Sequence, residues 1–130
     1  MLSMLNERRQ VPRYSVKLDI DIILDDGGIL PTETLNICEH GIQFVCDSDI
    51  ANEIEPRGIH NHPLDHLTLK VVATLPVEDE QKLYAICKVV SARRLSQDEY
   101  LIGLEFSGFE KSSEKVLQRY IDKLALNESS

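Results

Sequence analysis

Between residues 16 and 24 the chain alternates apolar residues with mostly polar ones. The apolar positions are Val16, Leu18, Ile20, Ile22 and Leu24. A period of two is typical of a β-strand that buries one of its faces. Residues 25–28, Asp-Asp-Gly-Gly, follow at once, and glycines that tolerate positive φ beside aspartates suit a tight hairpin. The fold is therefore predicted to begin with an antiparallel pair of strands.

Five later stretches also have β character, because β-branched and aromatic residues recur in them between polar turns. They span residues 29–37, 41–46, 67–75, 83–92 and 100–106. Short strands joined by turns, without alternating helices, are typical of a small antiparallel barrel or sandwich. Residues 47–65 contain prolines and polar residues with little periodicity, and they are predicted to be irregular.

Near the C-terminus the spacing of the apolar residues changes from that of a strand to that of a helix. Ser112 is a plausible N-cap, and the apolar residues after it share one helical face. These residues are Val116, Leu117, Tyr120, Ile121 and Leu124. We expect an amphipathic helix that covers one opening of the barrel or packs on a partner. The predicted fold is mostly β, a six-stranded antiparallel barrel with a C-terminal amphipathic helix.

Composition limits the class of protein. A chain of 130 residues is the size of one domain, and the sequence has neither the charge excess of disorder nor an apolar run of membrane-spanning length. The first ten residues lack the apolar region of a signal peptide, so we expect a cytoplasmic protein without membrane insertion. Cys38, Cys46 and Cys87 form no CxxC pair, which argues against a disulfide framework or a thiolate zinc site.

The charge is unevenly distributed. The net charge is −8, yet Arg8, Arg9, Arg13 and Lys17 stand near the N-terminus with Glu7 as the one acidic residue among the first 18. Residues 1–14 are predicted to be a flexible basic arm, residues 15–126 the folded domain and residues 127–130 a tail. An acidic protein with a single basic arm is poorly suited to a long polyanion, so no nucleic-acid partner is expected.

Two short motifs stand in this arm and at the end of the second predicted strand. Arg9 and Arg13 form an RxxxR motif directly before the first strand. Asn36, Cys38 and Gly41 follow at the spacing of a D/N-x-S-x-x-G motif, with cysteine in place of serine. In order and spacing, this pair resembles the motifs of the PilZ domain.

The resemblance covers about residues 7–123 and implies binding of cyclic di-GMP (c-di-GMP), a bacterial second messenger with two phosphates and two guanines. It implies that Arg8, Arg9 and Arg13 clamp phosphates and guanine edges, which planar guanidinium forks suit. It also implies that Asn36, Cys38 and Gly41 bring polar groups and exposed backbone to the ligand, with the thiol a weaker donor than the serine of the family.

The chain is accordingly interpreted as a stand-alone receptor, not an enzyme and without a cofactor, that relays c-di-GMP occupancy to an unidentified downstream protein. The alternative is a degenerate adaptor that binds no nucleotide and acts through protein contacts. The substitution at Cys38 favours the alternative, and the intact pair of Arg9 and Arg13 argues against it.

Many relatives also carry an aromatic residue on the fifth strand that covers a guanine. Val90 and Ser91 occupy that region here, and Arg93 or Arg94 could substitute for the aromatic ring.

Two other groups of residues contain side chains that can bind metals or act as nucleophiles. His60, His62 and His66, with Asp65 beside them, could meet around zinc or nickel, but histidines in a polar loop are usually solvated and no metal is predicted. His40 follows Cys38 closely but lacks an orienting partner, so no Cys-His nucleophile is predicted.

Overall fold

The computed structural model describes residues 11–58, 67–77 and 81–129, with side chains through residue 127. In chain order the elements are β1 (Asp19–Ile23), β2 (Ile29–Cys38), β3 (Gly41–Asp47), α1 (Ser48–Ile54), β4 (Thr68–Leu75), β5 (Gln81–Arg94), β6 (Glu99–Phe109) and α2 (Ser113–Ser129). The six strands close into a barrel in the order β1-β2-β3-β6-β5-β4. Every neighbouring pair is antiparallel. The predicted six-stranded barrel with a C-terminal helix is confirmed.

The core fills the barrel with the apolar residues that alternate along each strand. Ile22 and Phe44 are completely inaccessible to solvent. Cys46 and Cys87 belong to the same cluster. Burial, together with the charge of Asp47, raises the pKa of Cys46 to about 11. Burial alone raises the pKa of Cys87 to about 12, so both side chains are neutral thiols at physiological pH.

The C-terminal helix covers part of the barrel with its apolar face. Val116, Leu117, Tyr120 and Ile121 are buried, and α2 packs against β5. The helix follows Ser112, the predicted N-cap, whose carbonyl oxygen accepts a hydrogen bond from the backbone N–H of Val116. Because α2 continues to Ser129, residues 127–129 are helical, and the prediction of a tail beginning at residue 127 is wrong.

The first strand is shorter than the sequence pattern predicts. The pattern begins at Val16, but β1 begins at Asp19. The buried Thr34 hydroxyl accepts a hydrogen bond from the Leu18 N–H at 2.9 Å and donates one to the Val16 carbonyl at 2.7 Å. The Thr34 N–H still donates to the Leu18 carbonyl at 2.9 Å, but the side chain takes the place of the return ladder bond, so residues 16–18 follow β2 without forming a regular strand pair.

The prediction of an irregular segment over residues 47–65 is wrong for its first part, because Ser48–Ile54 forms α1. The Asp47 carboxylate caps this helix by accepting the Ile50 N–H at 2.9 Å. A two-turn helix with only two buried residues offers too few apolar positions for a helical period to show in the sequence. In the parts of the chain that the structure describes, no helix has the length and apolar character needed to cross a membrane.

Candidate ligand-binding site

The chain around Tyr14 is fixed to β2 by a backbone pairing. Tyr14 and Ile37 exchange both backbone hydrogen bonds, with N···O distances of 2.8 and 3.0 Å. Tyr14 is also buried. The predicted flexible arm therefore ends before Tyr14. Residues 1–10, with Arg8 and Arg9, lie outside the described residues.

This pairing places Arg13, the last residue of the first motif, beside the second motif. With Tyr14 opposite Ile37 in an antiparallel bridge, Arg13 lies opposite Cys38. The Arg13 Nη1 donates a hydrogen bond to the Cys38 Sγ at 2.9 Å. The same sulfur accepts the backbone N–H of His40 at 3.4 Å. The sulfur of Cys38 is thus a direct link between RxxxR and the second motif.

Cys38 is buried without belonging to the core. Only 3% of the residue is exposed, yet it stands outside the cluster that fills the barrel. Its neighbour Ile37 is completely buried in that cluster, and successive side chains on a strand point to opposite faces. Cys38 therefore faces the outside of the barrel, where Arg13 contacts it.

Asn36 lies on the same outer face, two residues before Cys38. Its Nδ2 donates a hydrogen bond to the Gln43 Oε1 at 2.8 Å. Its Oδ1 is enclosed and has no hydrogen-bond partner among the described residues. Sequence reasoning missed Gln43, because a register shift between Thr34 and Asn36 decides which β3 residue faces Asn36.

Gly41 begins β3 at a point of close contact with β6. A Cβ built on Gly41 would overlap the Leu104 carbonyl oxygen and would lie 3.1 Å from the Glu105 Cα. Packing between strands therefore already requires a glycine here, whether or not a ligand approaches this position.

On β5, the two arginines that were candidates for covering a base differ in their contacts. Arg94 donates to the backbone carbonyls of Ser96 and Gln97 at 3.1 and 2.9 Å, and so it holds the turn before β6. Arg93 is exposed and pairs with Leu101 across the sheet.

The alternatives with other chemistry gain no support from the described residues. His60, His62, Asp65 and His66 lie outside them, and the described part of the chain contains no group of three or more potential metal-ligating side chains. Cys38 is contacted by the backbone N–H of His40, while the His40 imidazole lies 3.6 Å from the Glu39 carboxylate.

A concavity away from the two motifs is lined partly by acidic residues. It has a volume of about 530 Å³ and lies near the turn between β1 and β2. Asp25, Asp26, Glu53 and Glu55 contribute to its lining, which would repel an anionic ligand. The exposed Arg13 would attract such a ligand instead.

Comparison with known proteins identifies the family. The PilZ domain family model matches residues 7–123. The chain belongs to the PilZ family. Members of this family are binding and adaptor proteins rather than enzymes.

Among solved structures, this PilZ chain resembles Bacillus subtilis inhibitor of motility, MotI/DgrA, at 20% identity and a TM-score of 0.71, with 95% of this chain and 54% of that one covered. It resembles the PilZ domain of Escherichia coli YcgR with c-di-GMP at 13% identity and a TM-score of 0.63, and the match covers 93% of this chain and 94% of that one. Borreliella burgdorferi PlzA in complex with c-di-GMP matches at 12% identity and a TM-score of 0.60, covering 99% and 58%.

At these identities the likeness shows the fold alone. The chain spans about half the length of MotI and of the Klebsiella protein MrkH, of which it covers 54% and 52%. None of the curated proteins matches the sequence.

Proposed function

We propose that this PilZ domain is a c-di-GMP receptor. The observation that carries the proposal is the pairing of Tyr14 with Ile37, because it brings Arg13 of the first motif against Cys38 of the second. Two similar structures, of YcgR and PlzA, contain c-di-GMP, which adds support from the same fold.

The chemistry of the proposed site matches an anionic dinucleotide. Arg13 is exposed as a residue, and its guanidinium carries five N–H donors, of which the contact with Cys38 uses one. The remaining donors can bind phosphate oxygens or the O6 and N7 atoms of guanine. We expect Arg8 and Arg9 to add the same chemistry from the arm.

Asn36 and Gly41 complete the proposed contacts. The Asn36 Oδ1 lacks a donor, and a buried acceptor without a partner costs about 1 to 3 kcal/mol. A guanine N–H would satisfy this oxygen if binding opened the enclosed position. Gly41 leaves the backbone of the turn free of a side chain, in addition to its role in packing.

The proposed signal is ordering of the arm over the barrel when ligand binds, which a downstream protein then recognises. This scheme assigns the domain to the bacterial cytoplasm, where the second messenger acts. A related structure, MrkH, is described as a c-di-GMP-dependent transcription regulatory factor. For this chain, a net charge of −8 argues against direct nucleic-acid binding.

Substitution of the arginines tests the proposed site. Arg9→Ala and Arg13→Ala should each weaken c-di-GMP binding at least tenfold, about 1.4 kcal/mol, because each removes charge-assisted hydrogen bonds. Arg119→Ala is the matched control, since Arg119 is exposed on α2 outside both motifs. Calorimetric titration of the three variants measures the effect. Equal affinity in all three, with folding intact, would place the site elsewhere.

The second candidate is an adaptor that binds no nucleotide and acts only through protein contacts. The observation that favours it is the engagement of Arg13 by Cys38 in a motif that departs from the family at that position. This candidate predicts no heat of binding in the wild-type titration and a partner interaction that is independent of c-di-GMP.

A further inference from the structure

We infer that Cys38 is a positioning residue, whose sulfur holds the Arg13 guanidinium toward the ligand, and that it does not contact the ligand itself. This inference rests on the proposed function. It assigns to Cys38 a role different from the weak ligand donor that the sequence motif implies.

The Cys38 sulfur already has hydrogen-bond partners within the protein. The Cys38 Sγ accepts two hydrogen bonds, one from the Arg13 Nη1 at 2.9 Å and one from the His40 N–H at 3.4 Å. Cys38 is also 3% exposed. A sulfur that already accepts two N–H groups and has almost no accessible surface offers little to a ligand.

The second argument is the register of the strands. The bridge between Tyr14 and Ile37 fixes the backbone next to Arg13 and Cys38, so these two residues are cross-strand neighbours. Cross-strand neighbours have closely spaced Cβ atoms, within reach of a long side chain. The contact is therefore built into the sheet.

The third argument concerns the cost of ordering an arginine. An exposed arginine has many rotamers, and a ligand that fixes it loses affinity to that ordering. Arg13 is exposed as a residue while its Nη1 is held at the sulfur. Holding one corner of the guanidinium restricts the rotamers and leaves the other N–H donors for the ligand.

A double-mutant cycle tests the inference, because it separates action through Arg13 from direct ligand contact. The affinity for c-di-GMP is measured by calorimetry for the wild type, Cys38→Ala, Arg13→Ala and the double variant. We expect Cys38→Ala to weaken c-di-GMP binding about fivefold when Arg13 is present, and less than twofold when it is added to the Arg13→Ala variant. Cys38→Ser retains an acceptor, and it should bind within about twofold of the wild type.

Two results would overturn the inference. An equal loss from Cys38→Ala in both backgrounds would mean that Cys38 contacts the ligand directly. Unchanged affinity for Cys38→Ala, in a folded protein that binds c-di-GMP through Arg13, would mean that the contact positions nothing.

A measurement without ligand keeps this inference separate from the proposed function. The NMR signals of the Arg13 guanidinium N–H groups should show slow solvent exchange in the wild type and in Cys38→Ser, and faster exchange in Cys38→Ala. Absence of c-di-GMP binding by the wild type would refute the proposed function. Identical Arg13 exchange in all three proteins would refute the positioning contact, whatever the outcome of the titrations.

Discussion

Replacement of Gly41 by alanine should strongly destabilise the barrel. The new Cβ would overlap the Leu104 carbonyl oxygen and would lie 3.0 Å from the Leu104 carbonyl carbon, so the obstacle is backbone and cannot rotate away. Relief requires β3 and β6 to separate where Gly41 pairs with Glu105. The neighbouring hydrogen bond from the Phe106 N–H to the His40 carbonyl, 2.8 Å long, would be strained as well.

The expected cost is about 3 kcal/mol, at the upper end for overpacking, because the clash involves a paired strand. That is a large part of the 5 to 15 kcal/mol typical of a domain's free energy of unfolding. Gly108→Ala is the matched control, since its Cβ would meet only Ile86 side-chain atoms at 3.9 Å. It should leave stability unchanged or raise it by up to about 1 kcal/mol, because alanine restricts the unfolded chain.

Urea unfolding followed by far-UV circular dichroism measures both variants. The reasoning predicts a much lower midpoint for Gly41→Ala and a midpoint near wild type for Gly108→Ala. Equal midpoints would refute it, because the approach of β3 to β6 would then not require glycine. A stable Gly41→Ala variant with weakened c-di-GMP binding would instead assign Gly41 to the ligand alone.

Three further predictions concern the barrel and the arm. Thr34→Val keeps the side-chain shape but removes the bonds to Leu18 and Val16, so thermal or urea unfolding should show a loss of about 2 kcal/mol; a loss under 0.5 kcal/mol would contradict the role given to that hydroxyl. The Cys87 thiol has its pKa raised from 9.0 to about 12 by burial, so it stays protonated in the folded protein at a pH where the unfolded thiol ionises. Its contribution to stability is therefore complete below pH 9 and falls as the pH rises toward 12. Between pH 8 and pH 10 the free energy of unfolding should therefore fall by about 1.4 kcal/mol less in Cys87→Val than in the wild type. An equal fall in both proteins would argue against the burial of this thiol. Amide hydrogen exchange of residues 6–10 should slow when c-di-GMP binds, and equal exchange with and without ligand would show that the signal does not come from the arm.

Most of the barrel could be predicted because its strands bury one face, which leaves a period of two in the sequence. The regions that escaped prediction are those where a side chain substitutes for a regular pattern. The Thr34 side chain takes the place of a ladder bond before β1, and the cap at Asp47 starts a helix too short to show a period. At the C-terminus, the polar residues 127–129 continue a helix whose apolar face has already ended.

The candidate site could be predicted only as a set of residues. The motifs identify Arg13, Asn36 and Cys38, but spacing along the chain cannot show that the sulfur accepts a hydrogen bond from the guanidinium. That contact depends on the pairing of Tyr14 with Ile37. The role of Gln43 depends on a register shift in β2, which likewise leaves no mark in the sequence.

The central claim is that this PilZ domain binds c-di-GMP. A calorimetric titration of the wild-type protein with c-di-GMP, with GTP as the control nucleotide, tests it most directly. We expect saturable heat with c-di-GMP that weakens as salt is raised, because the ligand is anionic and Arg13 is exposed. We expect no saturable heat with GTP. A folded protein that gives no heat with c-di-GMP would refute the proposed receptor function and favour the adaptor that binds no nucleotide.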